Sequence, residues 1–367
     1  MLNSAHRCAL VVLALCAFPA TAGAADSFHR ENLRIPMAGA GPRGLEAVLV
    51  RPDAPGRYPL VLLNHGSPRI RANTPRMSPS AMSLQAMEFA RRGWAAVIVM
   101  RRGYGDSGGS FSESFGSCSN PDYLSAGRAS ADDLKAAIAA LTQRPDIDGT
   151  RVVSVGYSAG GFATVALTAD PPPGLVAGIS FAGGRGSQSD DAVCGSERLV
   201  AAFATFGQRS RIPMLWVYAE NDHYFGPGLA QKFKDAFSGA GGNVEFVKAP
   251  AFGEDGHVFS TGGILVWPRY VDAFLAEHRL TPGTAPLPRP SSPSLQPPPQ
   301  LSERGRKAFE TYLMSGQHKA FAVSPDGHFG WRTGQRTVDD AKAGALEYCH
   351  RNASDCEIVF VDSAAEP

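Results

Sequence analysis

The sequence predicts an α/β fold: a mainly parallel sheet covered by helices on both faces, with a small C-terminal β-α-β unit beyond it. Three observations predict this. Apolar runs of strand length alternate with helical patterns up to about residue 280. Several of those runs are unbroken rather than alternating, as strands buried on both faces are. A proline-rich stretch then separates residues 301–367 from the rest.

The strands are read in order as LEAVLV (45–50), LVLLNH (60–65), AAVIVM (95–100), VVSVGY (152–157), LVAGISFA (175–182), MLWVYA (214–219) and VEFVKA (244–249). Helical patterns near 80–92, 130–143, 159–169, 228–239 and 267–278 fall between and after them, giving the β-α-β rhythm of a parallel sheet. Eight prolines within the twenty residues 281–300 forbid a regular hydrogen-bonded element and favour an extended spacer. Beyond it, KAFAVSP, VDDAKAGALEYCHR and CEIVFVD read as the small unit.

The chain has 367 residues, 44% of them hydrophobic, with 35 Lys and Arg against 34 Asp and Glu. No run of five like charges occurs, so nothing builds the cationic face that a phosphate backbone demands, and nucleic acid is excluded as a partner. Arg7 precedes an apolar run over 8–18 that closes in Ala22-Gly23-Ala24, the pattern of a secretory signal peptide. Pro19 interrupts the run well short of the roughly 20 residues that cross a bilayer. No other segment is long and apolar enough to span one. The expected division is therefore a signal peptide at 1–24, a large α/β unit at 25–280, a linker at 281–300 and a C-terminal unit at 301–367, in a periplasmic or secreted protein. Four cysteines remain after signal removal. Of three possible pairings, Cys118 with Cys194 and Cys349 with Cys356 is expected, because the last two lie seven apart in the separate C-terminal unit. None of these cysteines makes a C-x-x-C, and no metal or organic cofactor is expected.

The pattern G-x-S-x-G occurs twice, as GDSGG at 105–109 and GYSAG at 156–160. A nucleophile elbow needs a strand running into the serine and a helix leaving it. Only the second copy has both: VVSVGY runs into Ser158, and small Ala159 and Gly160 open the helical stretch GFATVALTAD. The letters GDSGG also surround the nucleophile of chymotrypsin-like proteases, but those need His, then Asp, then Ser along the chain, and the only Asp between His65 and Ser107 is Asp106 itself. Instead RRGYGDSGG reads as a loop leaving the strand AAVIVM. Arg101 and Arg102 at that strand end are candidate substrate-facing residues, with a structural ion-pair role as their other reading, and Tyr157 beside the serine is a further substrate-facing candidate.

A serine nucleophile on such a sheet requires an acid and then a histidine on loops beyond later strands. Asp222 follows MLWVYA in AENDHYF, 64 residues after Ser158, and His257 follows VEFVKA in GEDGHVF, 35 residues further on. Glu220 is the rival acid, but it belongs to the strand end, whereas Asp222 sits where a turn carries its carboxylate sideways. His223 is expected to point to solvent and His65 to be a turn residue. Two backbone N–H groups must receive the oxyanion: Ala159 follows the nucleophile, and LVLLNHGSP supplies Ser67 past a Gly66 turn.

Over residues 33–279 the motifs LVLLNHGSP, RRGYGDSGG, RPDIDGTRVVSVGYSAGG, YAENDHYF and GEDGHVF give the chain a resemblance to the α/β hydrolases. Within them it resembles the dienelactone hydrolase-like branch and the prolyl oligopeptidase-type enzymes. The resemblance implies a triad of Ser158, Asp222 and His257. One departure is plain: dienelactone hydrolases use a cysteine nucleophile inside the cell, whereas this chain has serine and an export signal. The expected activity is hydrolysis of a small-molecule or oligomeric ester through an acyl-enzyme. The alternatives are a peptidase or amidase of the prolyl oligopeptidase-like type, and a secreted binding protein on a hydrolase scaffold. Phe329, Trp331 and Tyr348 in the C-terminal unit read as either a small hydrophobic core or a contact surface for the cell envelope.

Overall fold

The computed structural model describes residues 28–289, 295–362 and 364–365, so the expected signal segment lies outside the described residues, as does part of the linker. The chain runs through β1 (Phe28–Ile35), β2 (Leu45–Pro52), β3 (Tyr58–Asn64), α1 (Ser83–Ala90), β4 (Ala95–Val99), α2 (Tyr123–Leu141), β5 (Ile147–Tyr157), α3 (Ala159–Thr168) and β6 (Leu175–Phe181). A short hairpin, β7 (Ser187–Ser189) with β8 (Ala192–Val193), leads to α4 (Ser196–Gly207) and β9 (Met214–Ala219). α5 (Pro227–Gly239), β10 (Val244–Ala249), the single turn α6 (Phe259–Gly262) and α7 (Pro268–Glu277) complete this part.

Eight of these strands form one sheet in the order β1-β2-β4-β3-β5-β6-β9-β10. Only β2 runs against its neighbours; every pairing from β4 to β10 is parallel. The unbroken apolar runs have the cause assigned to them, since successive residues feed opposite faces. Leu60 and Leu62 pack with Leu134, Ile138 and Phe162, while Val61 and Leu63 pack with Phe89, Val271 and Phe274. α2 starts at Tyr123, ahead of the helical pattern read at 130–143, because the Asp122 side chain caps it by accepting the Ser125 N–H at 2.9 Å. Strand β1 escapes the sequence reading because FHRENLRI is polar and only half-buried. Residues 183–212 hold the β7–β8 hairpin and α4. Among the described residues no helix is long and apolar enough to cross a membrane.

The C-terminal unit is larger than a β-α-β element: α8 (Glu303–Leu313), β11 (Ala320–Val323), β12 (Phe329–Arg332), α9 (Val338–Cys349), β13 (Glu357–Val361) and β14 (Ala364–Ala365). Its sheet, β12-β11-β13-β14, is antiparallel throughout and lies between two helices. Alternation along β11 divides the packing: Ala320 and Ala322 meet Ala341 and Ala345 of α9, while Phe321 and Val323 meet Phe309 and Tyr312 of α8. Phe329 and Trp331 pack on the α8 side, whereas Tyr348 is 40% exposed. Buried Lys319 closes the end of α8, its Nζ donating to the carbonyls of Tyr312, Leu313 and Ser315 at 2.8–2.9 Å, and burial pushes its pKa down to about 8. Both cysteine pairs are bonded as expected, Cys118 to Cys194 and Cys349 to Cys356.

Candidate active site

Strand β5 delivers Ser158 into a sharp turn before α3. Its φ of 54° is left-handed, a conformation that a residue with a side chain adopts only when its surroundings hold it there. The Ser158 N–H donates to Phe181 O at 2.9 Å, tying the turn to the end of β6. Glycine is required on both sides: a β-carbon at Gly156 would collide with the Gly160 carbonyl, and one at Gly160 with the carbonyls of Asn64 and His65. The helix therefore leaves the sheet at a distance only glycines permit.

Asp222 and His257 arrive on the loops that follow β9 and β10. His257 Nε2 lies 3.1 Å from Ser158 Oγ, and its Nδ1 lies 3.2 and 3.1 Å from the two Asp222 carboxylate oxygens. All three side chains are buried. A single tautomer satisfies every partner: Nδ1–H donates to Asp222, and Nε2 accepts from the serine hydroxyl. Asp222 is held in turn, its Oδ1 accepting the Tyr224 and Phe225 N–H groups at 2.7 and 2.9 Å. The His257 backbone is fixed by Asp255, which accepts its N–H at 2.9 Å and that of His223 at 3.1 Å. Glu220 is exposed, and His223 faces outward against Asp191 at 3.2 Å.

Aromatic rings enclose the imidazole. Tyr224 stacks on it with centroids 3.8 Å apart and planes at 6°, Tyr157 lies at 5.1 Å and Phe225 at 5.7 Å. The Arg69 guanidinium covers the Tyr224 ring at 3.7 Å. Tyr157 was expected to face substrate; it packs on the histidine instead and does not line the cavity beside the serine.

That cavity, of about 230 Å³, opens onto Ser158 and Ala159, with Ser67 and Arg69 on one side and Glu113 and Arg185 at the back. The loop carrying Ser67 passes so near the nucleophile that a β-carbon on Gly66 would sit 3.1 Å from Ser158 Cβ. Ser67 Oγ accepts the Tyr104 hydroxyl at 2.9 Å. The 118–194 disulfide joins two walls of the cavity, the loop through Phe115 and Gly116 and the strand through Ser187.

The expectation that Arg101 and Arg102 face substrate is corrected. Arg101 is wholly buried, its Nε donating to Glu113 at 2.8 Å and its Nη1 to His65 O at 2.9 Å. Arg102 is held by Asp133 through its backbone N–H and Nε, at 2.7 and 2.6 Å, and lies away from the cavity. A strand end can aim an arginine inward as readily as toward a ligand, and two buried carboxylates take both. The cations that do line the cavity, Arg69, Arg71 and Arg185, escaped the sequence reading because nothing in their local pattern marks them. Arg185 Nη2 is bonded to Glu113, while Arg185 Nε and Arg69 Nη2 have no hydrogen-bond partner among the described residues. Burial lowers the pKa of Arg101 and Arg185, yet a guanidinium stays charged, so two cations share one carboxylate behind the cavity. His65, as expected, is a turn residue: its Nε2 accepts the Arg101 N–H at 3.1 Å, and burial first, then the Arg101 charge, hold its pKa well below the usual imidazole range.

The sheet order, the strained elbow and the chain order Ser158, Asp222, His257 define an α/β hydrolase. A family profile for the X-Pro dipeptidyl-peptidase (S15) family matches residues 41–209, under half of the chain; the match contains Ser158 and ends before Asp222 and His257. Several solved structures are similar to the chain at low identity. An esterase from Pyrococcus furiosus is 15% identical, with 69% of this chain and 92% of that one covered at a TM-score of 0.48. A Klebsiella pneumoniae protein assigned as a dienelactone hydrolase is 17% identical, with 67% and 98% covered at 0.47. A puromycin-hydrolyzing peptidase from Mycobacterium tuberculosis is 22% identical, with 69% of this chain but only 40% of that one covered at 0.47. No curated protein sequence matches the chain. The fold and the Ser158, His257 and Asp222 geometry are those of a hydrolase of the esterase and peptidase type.

Proposed function

We propose that the protein is an exported serine esterase. The observation that carries this reading is the unbroken relay from Asp222 through His257 to a strained serine whose hydroxyl opens onto the cavity. His257 Nε2 takes the Ser158 proton as Oγ attacks an ester carbonyl, Asp222 stabilises the imidazolium, and the imidazolium then protonates the departing alkoxide. Water, deprotonated by the same nitrogen, releases the acid and restores the serine. The backbone N–H groups of Ser67 and Ala159 receive the oxyanion, each worth on the order of 3 kcal/mol in the transition state. The unpartnered N–H groups of Arg69 and Arg185 favour an acyl or leaving group that presents oxygen acceptors. Export is supported by the leader pattern at 1–24 and by two disulfides, which persist in oxidising compartments.

A peptidase is the second reading, favoured by the S15 profile match. Recognition of a free peptide N-terminus calls for an uncommitted carboxylate. Glu113, the carboxylate in the cavity wall, is already engaged by Arg101, Arg185 and Ser130. The ester reading is therefore preferred. A fluorophosphonate probe labels wild type and loses Ser158→Ala, and short-chain p-nitrophenyl esters turn over faster than Xaa-Pro p-nitroanilides. Equal labelling of both proteins would refute the nucleophile, and faster anilide turnover would exchange the two readings.

A further inference from the structure

The geometry points to Arg336, in the C-terminal unit, as a positioning residue for the oxyanion loop of the catalytic unit. This rests on the esterase reading and gives the C-terminal unit a part in it. Loop 66–82 carries Ser67 and two cavity arginines at its start, and it is held from outside along its length. Arg336 grips Glu46 of β2 with both terminal nitrogens, one at 3.1 Å, and also donates to the Met77 carbonyl at 3.0 Å. The nearly buried Glu46 carboxylate accepts the Asp106 N–H at 2.8 Å, and in the same turn the Gly105 N–H donates to Thr74 O at 3.0 Å. Tyr104, at the head of that turn, is fully buried and donates its hydroxyl to Ser67 Oγ at 2.9 Å.

One continuous path therefore leads from the C-terminal unit, through Glu46 and the 104–107 turn, to the residue whose N–H would bind the oxyanion. The closure is tight. At Gly105, φ is +56° and a β-carbon would lie 2.6 Å from Glu46 Oε2, 2.8 Å from Met77 O and 3.1 Å from Arg336 Nη2. The C-terminal unit also touches the far end of the loop, where His318 Nδ1 lies 3.4 Å from Ser80 Oγ. Deleting one oxyanion donor costs about a hundredfold or more, so displacing one by a fraction of an ångström is expected to cost roughly tenfold in kcat. The cavity side chain Arg69 keeps its own anchors, Ser187 Oγ at 3.1 Å, Asp190 at 3.0 Å and the Tyr224 ring, so KM is expected to move far less than kcat.

The test uses the full chain as wild type, Arg336→Ala, Arg336→Lys, Tyr104→Phe and the Arg336→Ala/Tyr104→Phe double variant. Esterase kcat, KM and the rate of Ser158 phosphonylation are measured on protein shown to be folded by thermal melting. The expected result is a kcat and labelling rate about tenfold lower for Arg336→Ala, with KM within about threefold of wild type. Arg336→Lys restores part of the rate, since it keeps the charge but not the bidentate fork. The double variant is no slower than the slower single, because both release the same loop. Wild-type kcat in folded Arg336→Ala, or losses that multiply in the double variant, overturns the inference alone. Should Arg336→Ala fail to fold, normal kcat in both Arg336→Lys and Tyr104→Phe overturns it equally. A wild type that neither labels nor turns over esters removes the esterase reading and this inference with it.

Discussion

The same five-residue pattern occupies two loops of this molecule, and the two serines have opposite fates. In GYSAG, Ser158 sits at a left-handed turn between a strand and a helix, with its hydroxyl between an imidazole and a cavity. In GDSGG, Ser107 is as deeply buried, but its Oγ accepts the Glu46 N–H at 2.9 Å and donates to the Met100 carbonyl at 2.6 Å. No helix follows it before α2. A hydroxyl consumed by two backbone groups stitches β2 to the end of β4. One whose only side-chain partner is a base remains available for reaction. The letters specify a tight turn; the element that comes next decides its chemistry.

Four outcomes would break or sharpen this contrast. The largest is expected from the serines themselves: Ser158→Ala lowers kcat by about 10⁵-fold and abolishes phosphonate labelling. Ser107→Ala keeps its labelling but loses about 1–3 kcal/mol in chemical denaturation, because two buried backbone groups lose their partner. Labelling that tracked Ser107 instead would reverse the assignment of the two loops. Next come the acids: Asp222→Asn costs about 10⁴-fold in kcat through the wrong histidine tautomer, while Glu220→Gln stays near wild type in the same assay.

The third outcome concerns the loop that leaves GDSGG, which the 118–194 bridge anchors to the wall of the GYSAG cavity. The bridge closes 76 residues, against seven for 349–356. The chain-entropy estimate gives about 4 kcal/mol for the first and about 2 for the second. Paired Cys→Ser variants should rank in that order in denaturant titrations, and the reverse order would place the rigidity in the C-terminal unit. The smallest effect belongs to His65, whose ring accepts the Arg101 N–H and lies against Tyr104 at the start of the GDSGG loop. Its folded pKa is depressed, so it is neutral in the folded protein while the unfolded chain takes up a proton below about pH 6.5. Stability is therefore lost as pH falls below that value, by up to about 1.4 kcal/mol per pH unit. His65→Gln should flatten this limb of the pH–stability curve, and an unchanged limb would assign it to other groups.

Much of this was legible in the sequence, for identifiable reasons. Central strands buried on both faces write themselves as unbroken apolar runs, and the elbow, acid and histidine loops each follow such a run, so Ser158, Asp222 and His257 could be placed in order. Edge strand β1 could not, because half its residues face water. Tyr224, stacked flat on His257, stands two residues beyond an obvious acid, yet its contact depends on how the loops after β9 and β10 meet. Arg101 and Arg102 could be read toward substrate or toward an ion-pair partner, because the sequence shows that they lie at a strand end but not which buried carboxylate awaits them. The path through Arg336, Glu46, Tyr104 and Ser67 draws on four segments up to 290 residues apart, and no local pattern records it.

The polar character that hid β1 has a consequence of its own. An open sheet ends in strands whose outer N–H and C=O groups are free to template another molecule. At one end of the large sheet, β1 projects Arg30, Glu31 and Arg34, and Gln317 of the C-terminal unit accepts a hydrogen bond from Arg30 at 2.9 Å. At the other end, β10 carries Glu245 and Lys248. Both flanks thus meet an approaching strand with charge, which disfavours the ribbon-to-ribbon growth that begins a fibril.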